Sequence, residues 1–555
     1  MKHAKWNRNW LIALVLGSFV LGAFTSAELI KSITRQQVQG AANIMGMEMT
    51  NQEIDSLMPD LERFREGYIK NRQKKLDNSV VPALTFDPVP GQYITKMGRR
   101  NGVSITSPGK VEMPENKEDL AWYSIQQLGL LIKEKKITSV ELTKFFIQRL
   151  KKFDKELKCV VTLTEDLALA QAKKADEALA TGNYLGPLHG IPYGIKDLFA
   201  TKKYKTTWGA APFKEQVLDY DAAVVQKLEA AGAVLVAKLT LGALAMGDKW
   251  FGGMTRNPWA PETGSSGSSA GSASAVAAGL VPFAIGTETL GSIVSPSTVC
   301  GTTGLRPTFG RVSRHGAMAL SWSMDKIGPI CRTAEEGIIV LDAIAGEDAM
   351  DPFTKDAPLY YRPNIHRSLK IGYVKSDFDR DYPFKAQDSA SLQVLKQMGI
   401  ELIPIELPEY PNLSPILIAE AAAAFDELTL SNKDDQLTQQ GANAWPNIFR
   451  GARFIPAVEY IQANRLRTKL IEDMQKVFEK VDAYVHPSWA SQSLRITNYT
   501  GHPCVVVPNG FQLDGKPTSI SFTGKWFKEG ELVSLAKAFQ DRTGYHLKHP
   551  KQGKE

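Results

Sequence analysis

Hydrophobic and polar positions along this chain follow two periods, one typical of helices and one typical of buried strands. Residues 222–231 predict an amphipathic helix that leads into a short apolar run at 233–237, which predicts a buried strand. The same order recurs where a predicted helix at 334–345 precedes an apolar run at 369–374. Strands and helices that alternate in this way predict a layered α/β fold, with helices on both faces of a mixed sheet.

Two helices ahead of these units carry sequence signals for their ends. Thr138 and Glu141 have the spacing of a capping box, which marks the start of a helix. A second helix, predicted over residues 165–180, has Gly182 just beyond its end. We therefore expect the layered domain to open with amphipathic helices.

The region ahead of that domain, residues 28–115, is predicted to be a helical and loop extension. Thr50 begins a second capping box and is followed by apolar residues at helical spacing, while Pro59 should kink this helix or restart it. Residues 80–109 are rich in proline and glycine and predict a loop. We expect the extension to pack on the domain or to cover its entrance.

The first 27 residues have the layout of a signal peptide. A basic stretch at 1–8 precedes an apolar run at 10–24, and small residues follow it up to Ala27. This layout predicts cleavage after Ala27 and export to the periplasm or the medium. An uncleaved leader that anchors the chain in a membrane is left open, although the apolar run is short for a membrane-spanning helix.

The composition is that of a globular protein with nearly balanced charge. The 555 residues include 66 basic and 59 acidic residues, a formal net charge of +7, which is too small to predict a nucleic-acid partner. No HExxH, CxxC or Walker sequence predicts a metal or another cofactor. The cysteines lack the spacing of a disulfide scaffold, so we expect buried free thiols at Cys159, Cys300, Cys331 and Cys504.

Two turns rich in glycine and serine, within residues 264–272 and 286–292, flank an alanine-rich stretch. Glycines let the backbone turn sharply and expose N–H groups, and serines supply hydroxyls for attack or proton relay. A flexible linker has a similar composition, but it does not need the apolar residues at 273–278 and 281–285, which predict a buried helix and a buried strand. The run therefore predicts an active site.

These turns resemble the serine motifs of the amidase signature family, whose members cleave amide bonds with a serine, a second serine in a cis peptide, and a lysine. The first family motif, Gly-Ser-Ser-Gly-Gly-Ser, corresponds to residues 267–272 and assigns Ser268 as the cis serine. The later motif corresponds to residues 286–292 and assigns Ser292 as the nucleophile. Leu290 departs from the family pattern, in which Gly or Asp is commoner.

The family's lysine is expected at the end of an upstream strand, in a Gly-Ile-Pro-x-x-x-Lys-Asp segment. Residues 190–197 match this segment and assign Lys196 as the base. His189 is the nearest alternative base, and we expect a packed or turn-bonding histidine there instead. The resemblance covers residues 116–548 as a catalytic domain, leaves 549–555 as a C-terminal tail, and implies a sheet of about eleven strands.

The resemblance implies a Ser-Ser-Lys mechanism. An amide requires both a strong nucleophile and a proton donor, because its carbonyl is resonance-stabilised and its nitrogen is a poor leaving group. A neutral Lys196, with its pKa lowered by burial, would draw the Ser292 proton through Ser268 and later deliver it to the leaving nitrogen. Backbone N–H groups beside the nucleophile would form the oxyanion hole, and they belong to Thr289, Leu290, Gly291 and Ser292.

Three further polar residues lie in segments that match turns of the family. Arg306 lies in Gly-Leu-Arg-Pro-Thr, where the family has lysine, Asp325 lies in Ser-Met-Asp-Lys-Ile-Gly-Pro, and His502 lies in Asn-Tyr-Thr-Gly-His-Pro. We expect all three to pin turns rather than to perform chemistry.

Substrate pockets in this family come from insertions that differ among peptide amidases, aryl acylamidases, fatty acid amide hydrolases and tRNA-linked amidotransferases. Here we expect the walls at residues 246–253 and 416–449, with substrate contacts from Met246, Gly247, Asp248 and Trp250. Export favours a small extracellular or periplasmic amide, peptide amide or aryl amide as the substrate.

Three functions follow from these features. A hydrolytic amidase is favoured by the complete set of Lys196, Ser268 and Ser292. A glutamine amidotransferase subunit shares this core but delivers ammonia to a partner's tRNA substrate, and the predicted leader argues against it because aminoacyl-tRNA is cytosolic. A non-catalytic envelope binding protein would have no need of the three residues. We expect no obligate protein partner, and a homodimer is left open.

Overall fold

The structure, a computed structural model, describes residues 33–73, 75–89 and 102–551. The chain divides into two compact units, Met1–Asp77 and Asn78–Glu555. The predicted leader lies outside the described residues. Within the described ranges, no helix is both long enough and apolar enough to cross a membrane.

The first unit contains two helices, α1 (Arg35–Ile44) and α2 (Asn51–Arg72). Thr50 caps α2 with the predicted capping box. The helix does not restart at Pro59, as the sequence analysis allowed, but runs through it as one element of 22 residues. A proline removes one backbone donor, and the turns on either side keep theirs.

The second unit is built on one sheet of eleven strands. In chain order the strands are β1 (Val160–Leu163), β2 (Pro192–Lys196), β3 (Val234–Leu239), β4 (Phe283–Glu288), β5 (Thr303–Arg306), β6 (Lys326–Cys331), β7 (Ile371–Val374), β8 (Leu402–Ile405), β9 (Ala483–Pro487), β10 (Cys504–Phe511) and β11 (Pro517–Gly524).

Across the sheet the strands lie in the order β8-β7-β9-β11-β10-β5-β6-β4-β2-β3-β1. Strands β8, β7 and β9 run parallel to one another, as do β4, β2 and β3. The remaining neighbours are antiparallel. This mixed sheet of eleven strands confirms the predicted fold class. Its parallel centre places the ends of β2 and β4 at the same edge, because parallel strands end on the same side.

Helices connect the strands and cover the sheet. They are α3 (Ile125–Lys133), α4 (Ser139–Leu157), α5 (Glu165–Ala180), α6 (Ala223–Ala230), α7 (Ala270–Ala277), α8 (Val294–Cys300), α9 (Ala334–Ile344), α10 (Lys375–Asp379), α11 (Lys385–Gln397), α12 (Ser414–Ala424), α13 (Asp426–Leu430), α14 (Trp445–Ala452), α15 (Ala457–Lys480), α16 (Ser493–Thr500) and α17 (Glu529–Thr543). Thr138 caps α4 with the predicted capping box.

Two hydrophobic cores lie on opposite faces of the sheet, as the alternation of β3 demonstrates. Val234 and Val236 pack in a cluster with residues of α4, α5 and α7. Leu235, between them, packs in a second cluster with residues of α3, α6 and α9. Successive strand residues point to opposite faces, so helices cover both faces of the sheet. The four cysteines are buried and unpaired.

One short strand was not predicted. Gly102–Val103 lies in the predicted loop 80–109 but pairs in parallel with Tyr360–Tyr361. A two-residue strand with a partner more than 250 positions away leaves no periodic signal in the sequence. The other elements are two short hairpins and six 3₁₀ turns, at Lys249–Trp250 with Gly253–Met254, Arg256–Asn257 with Ala260–Gly264, Lys117–Trp122, Ala211–Phe213, Ala243–Ala245, Ile365–Ser368, Lys433–Gln436 and Tyr545–Leu547.

Candidate active site

Lys196 is the last residue of β2 and is fully buried at the centre of the sheet. Its Nζ lies within hydrogen-bonding distance of three hydroxyl oxygens, 2.8 Å from Ser268 Oγ, 2.9 Å from Thr287 Oγ1 and 3.2 Å from Ser269 Oγ. Thr287 stands near the end of β4, which neighbours β2 in the sheet. The structure therefore brings the predicted lysine and the predicted cis serine into direct contact.

The three hydroxyls around Lys196 are not equivalent. Ser269 Oγ donates its proton to the carbonyl of Thr287 at 3.1 Å, so it can only accept from Lys196. A neutral amine has two protons to donate and one lone pair that accepts. Ser268 and Thr287 are therefore the hydroxyls that can give a proton to that lone pair, and Ser268 is the one whose neighbour contacts Ser292.

Burial lowers the pKa of Lys196 to about 7, against the opposing effects of Asp325 and Glu288. Desolvation disfavours the charged ammonium because the low-dielectric interior cannot replace its hydration. No carboxylate lies within salt-bridge distance of Nζ among the described residues. A substantial fraction of Lys196 is therefore neutral near pH 7, as a general base requires.

The peptide bond between Gly267 and Ser268 is cis, as the resemblance implied. A Cβ on Gly267 would lie 1.9 Å from the carbonyl oxygen of Gly247, so only glycine fits at this position. Asp248 fixes the same loop, since its carboxylate accepts the N–H of Ser266 at 3.0 Å. Residues 246–248 thus support the loop that carries Ser268.

Ser292 lies in the turn between β4 and α8 and is partly buried. Its carbonyl accepts the N–H of Ser269 at 3.2 Å, which joins the two serine turns through their backbones. Within the described residues, no hydrogen bond links the side chains of Ser268 and Ser292. The structure thus places the predicted nucleophile beside the Ser268 loop, with its side chain uncommitted.

The predicted oxyanion hole corresponds to the turn at residues 289–292. Gly291 has φ +103°, a conformation that side-chain-bearing residues rarely adopt. In the part of the chain that the structure describes, the amides of Leu290, Gly291 and Ser292 have no hydrogen-bond acceptor. Leu290 is 37% exposed, so the departure at this position places its side chain away from the buried site.

One buried carboxylate, Glu288, holds both ends of this turn. Its Oε2 accepts the N–H groups of Ile293 and Val294, each at 2.9 Å, and its Oε1 accepts Arg306 Nη1 and Asn498 Nδ2, each at 2.8 Å. Burial alone would raise the pKa of Glu288, but Arg306 and the N–H of Val294 bring it below its usual range. Glu288 therefore stays ionised and positions the turn that carries Ser292.

The predicted turn-pinning residues occupy such roles. Asp325 Oδ2 accepts the N–H groups of Leu320 and Ser321, and its Oδ1 accepts the Thr289 hydroxyl at 2.5 Å. Arg306 donates to Glu288 and to the carbonyl of His502, which confirms the expectation for Arg306.

The two histidines that the sequence analysis weighed are both structural. His502 is buried and its Nδ1 lies 2.8 Å from the hydroxyl of Thr500. His189 is buried, its Nε2 lies 3.0 Å from the carbonyl of Ala175, and its Nδ1 accepts the N–H of Leu185 at 3.3 Å. Burial lowers the pKa of His189. The expectation of a packed, turn-bonding histidine is confirmed.

A pocket adjoins the Lys196 cluster on the Thr287 side, and we call it the Thr287 pocket. Its wall includes Thr287, Thr289, Asp325, Met318, Leu320 and Val81. Of the predicted substrate-binding residues, Met246, Gly247, Asp248 and Trp250 do not line it. Trp250 is buried and makes an edge-to-face contact with Phe251 at 4.8 Å. The role of these four residues in substrate binding stays a prediction.

The predicted wall segment 416–449 lies near a different cavity. Its residues Ala419, Glu420 and Ala423 line an apolar groove next to Trp322. The sequence analysis did not identify Thr287, Ser269 or Glu288 as site residues. The only available signal was their position inside the two matched motifs, since hydroxyl and carboxylate partners leave no period in the sequence.

Metal chemistry receives no support from the described ranges, in which no group of three or more His, Cys, Asp or Glu side chains could hold a metal ion. The chemistry available at this site is therefore that of hydroxyls, one buried amine and backbone N–H groups. This combination suits attack on a carbonyl carbon with stabilisation of the resulting oxyanion.

Comparison with known proteins gives concordant results. A sequence model of the family described as Amidase matches residues 141–533. The A-type subunit of glutamyl-tRNA(Gln) amidotransferase from Acinetobacter baumannii is 34% identical over 482 residues, which cover 78% of this chain and 98% of that protein. Its counterpart from Coxiella burnetii is 33% identical over 479 residues, covering 77% of this chain and 99% of that protein.

Solved structures agree in fold. Native peptide amidase from Stenotrophomonas maltophilia has a TM-score of 0.70 at 28% identity, covering 78% of this chain and 99% of that chain. An amidase family protein from Bacillus anthracis has a TM-score of 0.71 at 27% identity, covering 78% and 93%.

Proposed function

This chain belongs to the amidase family, and from that premise we propose that it hydrolyses a carboxylic amide through an acyl-enzyme on Ser292. The observation that carries the proposal is the buried Lys196 amine in contact with the Ser268 hydroxyl at 2.8 Å. A buried amine with a pKa near neutrality and a hydroxyl partner has little structural value, because burying it costs free energy. It has clear value as a base.

In the first half of the proposed reaction, neutral Lys196 accepts the proton of Ser268 while Ser268 accepts that of Ser292. The Ser292 oxygen then bonds to the amide carbon, and the carbonyl oxygen becomes an oxyanion facing the free amides of residues 290–292. The carbon–nitrogen bond breaks as the protonated Lys196 returns its proton, through Ser268, to the leaving nitrogen. Amine or ammonia departs and the acyl group stays on Ser292.

In the second half, a water molecule takes the place of the leaving group. Lys196 and Ser268 remove its proton, its oxygen bonds to the acyl carbon, and the ester bond to Ser292 breaks. The serine regains a proton, and the carboxylic acid is released. The same two groups therefore serve both half-reactions.

A glutamine amidotransferase subunit is the second candidate, favoured by the identity of 33 to 34% to proteins that carry this name. Both functions use the same acyl-enzyme chemistry and differ in the fate of the nitrogen. A hydrolase releases it to water without help, whereas an amidotransferase subunit passes ammonia to a partner. The family core is compatible with either.

The test is to incubate the purified protein alone with a panel of amides, including glutamine, and to follow release of ammonia or amine. Hydrolysis of a non-glutamine amide, absent in Ser292→Ala, is the expected result. Activity that is restricted to glutamine and rises on addition of the other subunits of a tRNA amidotransferase would favour the second candidate. No release from any amide, with or without partners, would contradict both.

We also propose that the chain is exported and that residues 1–27 are removed. Protein recovered from the periplasm of a bacterial host should begin near Glu28, because the apolar run directs export and small residues permit cleavage. N-terminal sequencing measures this. Leu14→Arg, which places a charge in the apolar run, should keep the chain in the cytosol. Wild-type protein that stays in the cytosol with Met1 intact would contradict export.

A further inference from the structure

Residues 78–89, which we call the strap, precede the family-matched region that begins at residue 141. The strap has no regular secondary structure, yet both of its ends are fixed. At the first end, Asn78 donates to the carbonyls of Ala319 and Ala424 at 3.0 and 3.2 Å and accepts the N–H of Ala319 at 2.8 Å. This side chain thus ties the strap to a wall of the Thr287 pocket.

The second end of the strap is held by packing and charge. Phe86 lies edge-on against Phe309 with ring centroids 5.3 Å apart, and the Arg467 guanidinium lies over the Phe86 ring. Asp87 forms an ion pair of 2.8 Å with Lys355. Between these anchors, Asn78, Ser79 and Val81 line the Thr287 pocket. A segment outside the family core therefore supplies one wall of the pocket beside the catalytic cluster.

The charged groups of the pocket are already paired within the protein. Arg314 binds Asp351 through Nε and Nη2 at 3.0 and 2.9 Å and donates from Nη1 to the carbonyl of Trp322. Asp325 is occupied by the Thr289 hydroxyl and two backbone N–H groups. A charged substrate group would enter without a counter-charge, at a high desolvation cost, whereas an apolar group would gain contacts.

We propose that the strap selects the acyl group of the substrate, and that the preferred substrates are amides with an uncharged, apolar acyl group in contact with Val81. This inference rests on the proposed hydrolysis. In that reaction the leaving nitrogen receives its proton from Ser268, which does not line the Thr287 pocket, so the pocket lies on the acyl side.

The kinetic test compares three primary amides, in which the acyl group is the only group that can fill the pocket. Hexanamide should exceed both acetamide and 4-carbamoylbutanoate, a charged amide of similar length, in kcat/KM. Val81→Asp should lower the hexanamide-to-acetamide ratio of kcat/KM by about tenfold, because a carboxylate replaces an apolar wall.

Val80→Asp is the matched control, since Val80 neighbours Val81 in the strap, is 50% exposed and does not line the pocket. It should leave the ratio within about twofold. Val81→Ala, which removes apolar contact without adding charge, should lower the ratio in the same direction and covers the case in which Val81→Asp does not fold. An unchanged ratio in the folded Val81 variants would overturn the inference while leaving the proposed hydrolysis intact.

A binding measurement separates the two proposals. Calorimetric titration of hexanamide into Ser292→Ala should detect binding that Val81→Asp, in the same background, weakens and Val80→Asp does not. If the wild type hydrolyses no amide but this binding pattern holds, the pocket assignment stands and the proposed reaction fails. If hexanamide binds no better than 4-carbamoylbutanoate, the pocket assignment is overturned.

Discussion

Replacing Lys196 by alanine should lower kcat/KM by about 10²- to 10⁴-fold, the usual contribution of a general base. The same substitution should abolish a pH dependence that the wild type displays. Burial lowers the pKa of Lys196 to about 7, and the amine acts only when neutral. Wild-type kcat/KM should therefore fall as the pH drops below about 7 and level off above it, and the residual activity of Lys196→Ala should lack this limb.

His189→Ala is the control for this experiment. His189 is committed to the carbonyl of Ala175 and the N–H of Leu185, so its loss should leave the acidic limb in place. Circular dichroism establishes that both variants are folded. A folded His189→Ala variant that lost activity as completely as Lys196→Ala would contradict the assignment of lysine as the base.

Ser292→Ala should reduce kcat by about 10⁴- to 10⁶-fold while leaving the fold intact. Only the attacking oxygen is lost, and within the described residues the Ser292 side chain makes no hydrogen bond that its removal would break. Steady-state kinetics measures the loss, and thermal unfolding checks the fold.

Ser295→Ala is a suitable companion variant, since Ser295 lies one turn further along the chain. Its hydroxyl bonds Ser266 at 2.8 Å, so its removal tests a serine of the same region that has no assigned part in the reaction. Comparable losses in Ser295→Ala and Ser292→Ala would attribute the effect to disturbance of the turn rather than to loss of the nucleophile.

The secondary structure around the site could be predicted from sequence because its signals are local. The capping box at Thr138 and the apolar run that ends at Lys196 depend on residues a few positions apart. The motif match then supplied the roles, since Lys196 and Ser268 are 72 positions apart and no period connects them. Their contact exists because β2 and β4 are parallel neighbours.

The parts that sequence did not provide depend on long-range contacts. The Thr287 pocket takes one wall from the strap and another from residues near 318–325, an association fixed by Asn78 across 241 positions. The predicted contacts at 246–250 were placed by composition, and in the structure Asp248 supports the Ser268 loop instead. Aromatic and charged residues near a motif are therefore a poor guide to which side chains line the pocket.

The central claim is that Ser292 carries the acyl group during turnover, and covalent labelling tests it most directly. A fluorophosphonate reacts with an activated serine, and peptide mass mapping identifies the labelled residue. The account predicts one modified serine, Ser292, in the wild type, with the label absent in Ser292→Ala and strongly reduced in Lys196→Ala. A label that maps to Ser268, Ser269 or any other serine, or that persists in Ser292→Ala, would contradict the account.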